Sequence, residues 1–251
     1  MERAAAVLRR PRLVAGAAIL AALLVYYWLV GTLDGPPPLW AAFVLVAAGL
    51  VPAVFALVWL ALPLRAWRGT LAVAVAFALL AVAWSSAGLD VAANFAKLAA
   101  AAAVAFWFLS YFERVSWVVA VAAMIPLVDA LSVWRGPTRH IVTEEPQVFD
   151  ALSFAFPVGG EASFDLGLPD VVFFSLFLGA AARWGLRVAW TWLAMVASFG
   201  VTMALALWVD PFGIGGLPAL PGLSIAFLLA NADVLWRQLR APSPAERDPP
   251  S

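Results

Sequence analysis

Asp129, in the run MIPLVDALSVW, and Asp170, in LGLPDVVFF, are two acidic side chains standing inside strongly apolar stretches of this chain. Burying a carboxylate without a partner is costly, so an acid kept in such surroundings usually has a chemical task. The other acids near apolar runs have simpler readings. Asp34, Asp90 and Asp210 lie near turn glycines or prolines at run ends and read as solvated. Asp233 precedes Arg237 by four residues, the spacing of an ion pair along one helix face. If Asp129 and Asp170 share a dry site, both cannot ionise cheaply; one keeps its proton and the pair can hold a water. The neutral acid then polarises a carbonyl while the ionised one takes the water's proton, the chemistry of peptide-bond hydrolysis. A hydrogen-bonded pair that only locks two helices, and a proton or cation relay, account for the same two residues equally well.

The elements that must position these acids are apolar helices. Of the 251 residues, 65% are hydrophobic and 12% charged, against an apolar share of about half in soluble domains. Eight apolar stretches, about 13–33, 39–64, 71–89, 91–111, 115–134, 170–184, 187–209 and 217–236, recur along the chain. Most are long enough for a hydrocarbon core of roughly 30 Å, so the expected fold is all-α, a polytopic transmembrane bundle. At a rise of about 1.5 Å per residue, Asp129, six residues before Arg135, lies roughly 9 Å below one boundary. Asp170, thirteen residues before Arg183, lies roughly 20 Å above the opposite boundary, hence roughly 10 Å below the first. The two acids therefore reach the same depth on consecutive spans.

Charge sets the expected orientation. If the spans alternate, twelve of the fifteen cationic residues fall on one side and Lys97, Arg135 and Arg139 on the other. By the positive-inside rule both termini are cytoplasmic and the 135–168 connection is external. The basic start MERAAAVLRRPR precedes an apolar run too long for a signal core, which reads as a retained anchor. Without cysteine there is no disulfide frame or thiol chemistry, and the one histidine, His140, reads as a solvated loop residue. No basic cluster interleaved with aromatics supports nucleic-acid binding. Arginine outnumbers lysine fourteen to one, which points to a GC-rich prokaryotic genome and a plasma membrane.

GGLPALPGLSIAFLLANAD, residues 215–233, adds a third motif. Pro218 and Pro221 have no N–H to donate, so the start of the last run is expected to stay extended. Irregular backbone at that depth is tolerated only against protein or a water-filled cavity. Pro218-Ala219-Leu220 resembles the PAL motif of the presenilin and signal peptide peptidase family of intramembrane aspartyl proteases, particularly its prokaryotic presenilin-like members. VDALSVWRGPTRHI (128–141) and LGLPDVVFFSLFLGA are similar to the segments that carry that family's two catalytic aspartates, and the three motifs keep the family's order.

The resemblance covers roughly residues 115–236 and implies the following. Asp129 and Asp170 form the catalytic pair; Gly167 is the first glycine of the Gly-x-Gly-Asp motif; Pro218, Ala219 and Leu220, with Gly167, Leu168 and Pro169, shape the site and contact an extended substrate. That substrate is itself a transmembrane helix, locally unwound; part of the 135–168 loop, such as FDALSFAF, either pairs with it as a strand or is a surface loop with a few apolar anchors. No metal or organic cofactor is implied. The domains are then 1–114, a four-span region; 115–236, carrying the aspartates and PAL segment; and 237–251, a disordered cytoplasmic tail.

The chain departs from the family pattern in three places. Val128 replaces the usual tyrosine, Pro169 replaces the second glycine, and eight spans are counted where nine are common. Proline suits a first helical turn; with Leu168 pushed extended and Asp170 at the positive end of the helix dipole, Asp170 is expected to be the base and Asp129 the proton holder. Type IV prepilin peptidases share the Gly-x-Gly-Asp signature, but the PAL segment and the lack of cysteine argue against them. Two alternatives stand beside the protease: a non-catalytic relative that binds transmembrane helices, and a proton- or cation-coupled transporter, which would show an inverted repeat.

Overall fold

The computed structural model describes residues 2–135, 150–160, 162–209 and 218–240. His140, Asp210 and the segment from 241 onward lie outside them. Eight long helices run through the described residues: α1 (Glu2–Val30), α2 (Leu39–Ala66), α3 (Thr70–Ser86), α4 (Asp90–Leu109), α5 (Val115–Arg135), α6 (Leu168–Arg183), α7 (Val188–Trp208) and α8 (Leu220–Arg240). Each covers one of the apolar stretches. Four regions, Arg10–Val30, Leu39–Ala66, Asp90–Leu109 and Val188–Trp208, are long and apolar enough to cross a membrane.

Local chemistry explains the irregularities. In α2, Pro52 cannot donate to the carbonyl four residues back, and the helix widens into a π turn over Val46–Leu50. Pro126 interrupts α5 one turn before Asp129 by the same loss. Gly185, at φ 65°, ends α6: the Leu186 N–H closes on the Ala181 carbonyl at 2.8 Å, a bond that needs a left-handed residue between.

α6 is the axis of the molecule. Residues 174–181 are all buried, the pattern of a helix surrounded by others rather than one with a solvent or lipid face. Its aromatic side chains knit the bundle together. Phe174 stacks on Phe55 of α2 at 3.8 Å between ring centroids, Phe55 on Phe199 of α7 at 5.0 Å, and Phe177 on Phe227 of α8 at 4.8 Å. With 16 residues α6 is only about 24 Å long.

What leads into α6 is a β-hairpin, β1 (Ser153–Gly159) and β2 (Ala162–Gly167), paired antiparallel. The expected strand in FDALSFAF is present from Ser153 onward, but it pairs within the chain. The Leu168 N–H donates to Leu152 O at 2.8 Å, which fixes the parity of the ladder. Phe154/Leu166 and Phe156/Phe164 therefore face each other through hydrogen bonds. Ser153, Ala155 and Pro157 on β1, and Ser163, Asp165 and Gly167 on β2, turn their backbone groups outward. The tip docks on the α1–α2 turn: Gly160 N–H reaches Leu33 O at 3.3 Å, and a Cβ on Gly159 (φ 119°) would lie 2.6 Å from Gly35 O.

Candidate functional site

Asp129 is half-buried on α5, while Leu127 and Val128 face outward, 68% and 58% exposed. Its Oδ2 accepts the Leu220 N–H at 3.3 Å. Leu220 is the first residue of α8, and the first amides of a helix have no partner within it. Asp129 thus caps a neighbouring helix and lies at the positive end of its dipole. The Leu223 N–H donates to Ala219 O at 3.1 Å, so helical bonding already starts at Ala219. The PAL segment is therefore less extended than its prolines suggest. Pro221 sits in the first turn of α8, where its missing N–H removes no internal bond. Ala219 and Leu220 are buried side chains, 8% and 5% exposed; Pro218 is half-buried. What the segment turns toward Asp129 is backbone.

Asp170 has a matching position. Gly167, at φ −58° and ψ 136°, is the N-cap of α6, Leu168 and Pro169 follow in helical conformation, and Asp170 is the third helical residue. The expectation that Leu168 is extended is corrected: the break falls at Gly167, because Leu168 can satisfy its N–H on Leu152 while already helical. Pro169, exposed at the second position, costs no internal bond. The Asp170 carboxyl folds back toward Gly167 from the third helical position, where a capping-box acid stands. A Cβ on Gly167 would lie 3.2 Å from Asp170 Oδ2, so glycine leaves room for the carboxylate. No positive φ is involved here.

The two carboxyls are close enough for their charges to interact. Their helices, α5 and α6, are in contact. Both acids stand at helix N-termini, so the dipole argument does not separate base from proton holder. The hairpin's outward β2 edge ends at Gly167, directly beside Asp170. Outside the apolar helices, the Asp165 carboxyl is pushed up by desolvation, opposed by hydrogen bonds from Ser163 (2.9 Å) and Ser153 (3.4 Å). A shallow apolar cleft of about 290 Å³ lies away from this site, at the hairpin tip between Tyr26, Pro36 and Val158. Among the described residues no three acidic or histidine side chains converge.

Sequence reasoning missed three features. The Leu220 amide is one, since a backbone donor has no letter. Tyr26, Tyr27, Asn94 and Lys97, which hold β1, are another; Asn94 and Lys97, three apart in an apolar run, carried the signal of one polar face. Asp233 pairs with Arg237 at 3.1 Å as expected, but more closely with Arg187, the residue before α7, at 2.7 Å. No protein-family model matches this chain, and no curated protein matches it.

Proposed function

We propose that this chain is a multi-pass membrane protease that hydrolyses peptide bonds of transmembrane helical substrates, in the manner of the presenilin and signal peptide peptidase group it resembles. The observation that carries the reading is the convergence of Asp129, Asp170 and the Leu220 amide from three separate motifs. One carboxyl is ionised and takes a proton from a water held between the pair, and the water oxygen attacks the scissile carbonyl carbon. The other, protonated, donates to the carbonyl oxygen as charge develops there. Collapse of the tetrahedral intermediate breaks the C–N bond: the amine leaves with the proton from the first aspartate, and a hydroxyl of the intermediate returns a proton to the second. Two helix N-termini directed at the pair favour the single negative charge it must keep.

A helix has no free backbone groups to offer an active site, so the substrate is unwound before cleavage. The outward edge of β2 suits such a segment: it is a row of backbone donors and acceptors leading to Asp170. In this reading all eight helices belong to the membrane-embedded bundle of a prokaryotic plasma membrane, the hairpin is external and both termini are cytoplasmic. Asp129→Asn and Asp170→Asn, each alone, abolish cleavage of a reporter transmembrane substrate in liposomes; retained cleavage in either variant removes the mechanism.

One observation favours a second reading, a non-catalytic binder of transmembrane helices. Both carboxyls stand at helix N-termini and Asp129 already has a backbone partner there, as acids that merely lock helices would. Capture of the reporter substrate without product by the unaltered protein selects that reading.

A further inference from the structure

A two-stranded hairpin has two open edges, and here the described residues close one of them. Each outward carbonyl of β1 is occupied. Lys97 Nζ donates to Ser153 O at 2.9 Å and to Asp150 O at 2.7 Å. The Tyr27 hydroxyl and Asn94 Nδ2 donate to Ala155 O at 2.6 and 2.9 Å, and the Tyr26 hydroxyl donates to Pro157 O at 2.6 Å. The outward Ala155 N–H donates to Asn94 Oδ1 at 3.0 Å, and Pro157 has no N–H to offer. Asn94, itself buried, meets both polar groups of Ala155 as one residue of an adjoining strand would. No second strand pairs with β2 among the described residues.

We infer that Tyr26, Tyr27, Asn94 and Lys97 are positioning residues of the aspartate site. By occupying the outer edge of β1 they leave β2 as the edge to which an extended substrate can add, and they hold that edge at a fixed height beside Asp170. The inference rests on the protease reading. Its physical basis is that an unpaired strand edge is a template for any extended chain. A substrate strand added to β1 would lie one strand spacing further from Asp170 on each count and could not be cut. The clamp therefore excludes a non-productive mode and fixes which bond of the substrate meets the carboxyls.

Tyr27→Phe and Asn94→Ala test this, with the full-length chain in liposomes and a reporter transmembrane substrate whose products are identified by mass. The expected result is a severalfold rise in KM that exceeds any fall in kcat, with cleavage spread to bonds the unaltered protein does not cut. Amide exchange of segment 153–159, followed in the same samples, is expected to accelerate. Tyr27→Phe removes one hydroxyl and keeps the ring against Phe95 (5.3 Å), so it reads the clamp even where Asn94→Ala does not fold. Faster exchange with the KM and cut bonds of the unaltered protein overturns the inference, as does a fall in kcat alone. No cleavage by the unaltered protein overturns the protease reading and this inference with it. Cleavage by the unaltered protein that moves in neither variant overturns the inference alone.

Discussion

At the residue scale, the site is built from two carboxylates that each meet the first turn of a helix. Asp170 meets its own, α6; Asp129 meets α8, through the Leu220 amide at 3.3 Å. This arrangement gives each acid a favourable dipole, and Asp129 a backbone donor, without a cationic side chain, which would hold it permanently ionised. Space matters as much as charge. A methyl group on Gly167 would stand 3.2 Å from Asp170 Oδ2, tighter than ordinary contact, so the carboxylate must move by a few tenths of an ångström. Gly167→Ala is therefore expected to lower kcat about tenfold or more while the melting temperature in detergent barely changes, since a misplaced reacting group costs rate before stability. Equal kcat for the two proteins would show that the carboxylate has slack. The acids themselves were legible in the sequence as carboxylates standing inside apolar runs. Their partners were not, because a backbone amide is the same at every residue and its direction depends on where α8 begins.

At the element scale, a short buried helix is fed by a strand whose edges are treated differently. α6 was readable as an apolar run; its start was not, because Leu168 satisfies its N–H on the sheet and the break moves to Gly167. The hairpin was half readable: FDALSFAF has the strand character, but the partner β2 lies in ASFDLG, whose apolar–polar alternation is only six residues long. Gly159→Ala should detach the tip, because its Cβ meets the Gly35 carbonyl at 2.6 Å and its φ of 119° disfavours any side chain. Faster amide exchange across 153–167 is the expected signature; unchanged exchange would mean the tip is not held there. At the other end, Asn231 is fully buried and joins α7 to α8 through Thr191 Oγ1 (2.7 Å), the Arg187 N–H (2.9 Å) and Phe227 O (2.9 Å). Asn231→Leu leaves Thr191 and the Arg187 amide without partners, at a cost of about 1–3 kcal/mol each. A melting temperature lower by several degrees is expected, and an unshifted one would place water on those groups. The same end corrects the expected tail boundary: α8 continues to Arg240, stabilised by the Gln238 bond to Trp184 O (3.0 Å) and by Arg240 packed over Trp236 (3.8 Å).

At the scale of the whole molecule, composition announced apolar helices, and the folded chain separates its charges by end. Lys97 binds the base of the hairpin, whereas Arg65 and Arg183 bond helix-terminal carbonyls, and Arg187 and Arg237 meet Asp233. In the proposed reading, that arginine-rich end faces the cytoplasm by the positive-inside rule. Because the chain has no cysteine, single cysteines report orientation cleanly. Ser163→Cys should react with a membrane-impermeant maleimide in intact cells, and Gln238→Cys only after permeabilisation; the reverse pattern inverts the topology. Span number and activity were not legible from composition, since apolar runs do not state which helices traverse the bilayer or whether paired acids react. The most direct measurement of the central claim is product formation from a reporter transmembrane substrate by purified protein in liposomes, with Asp129→Asn and Asp170→Asn alongside. The account predicts defined cleavage products from the unaltered chain and none from either variant; products from a single-aspartate variant, or none from the unaltered chain, would contradict it.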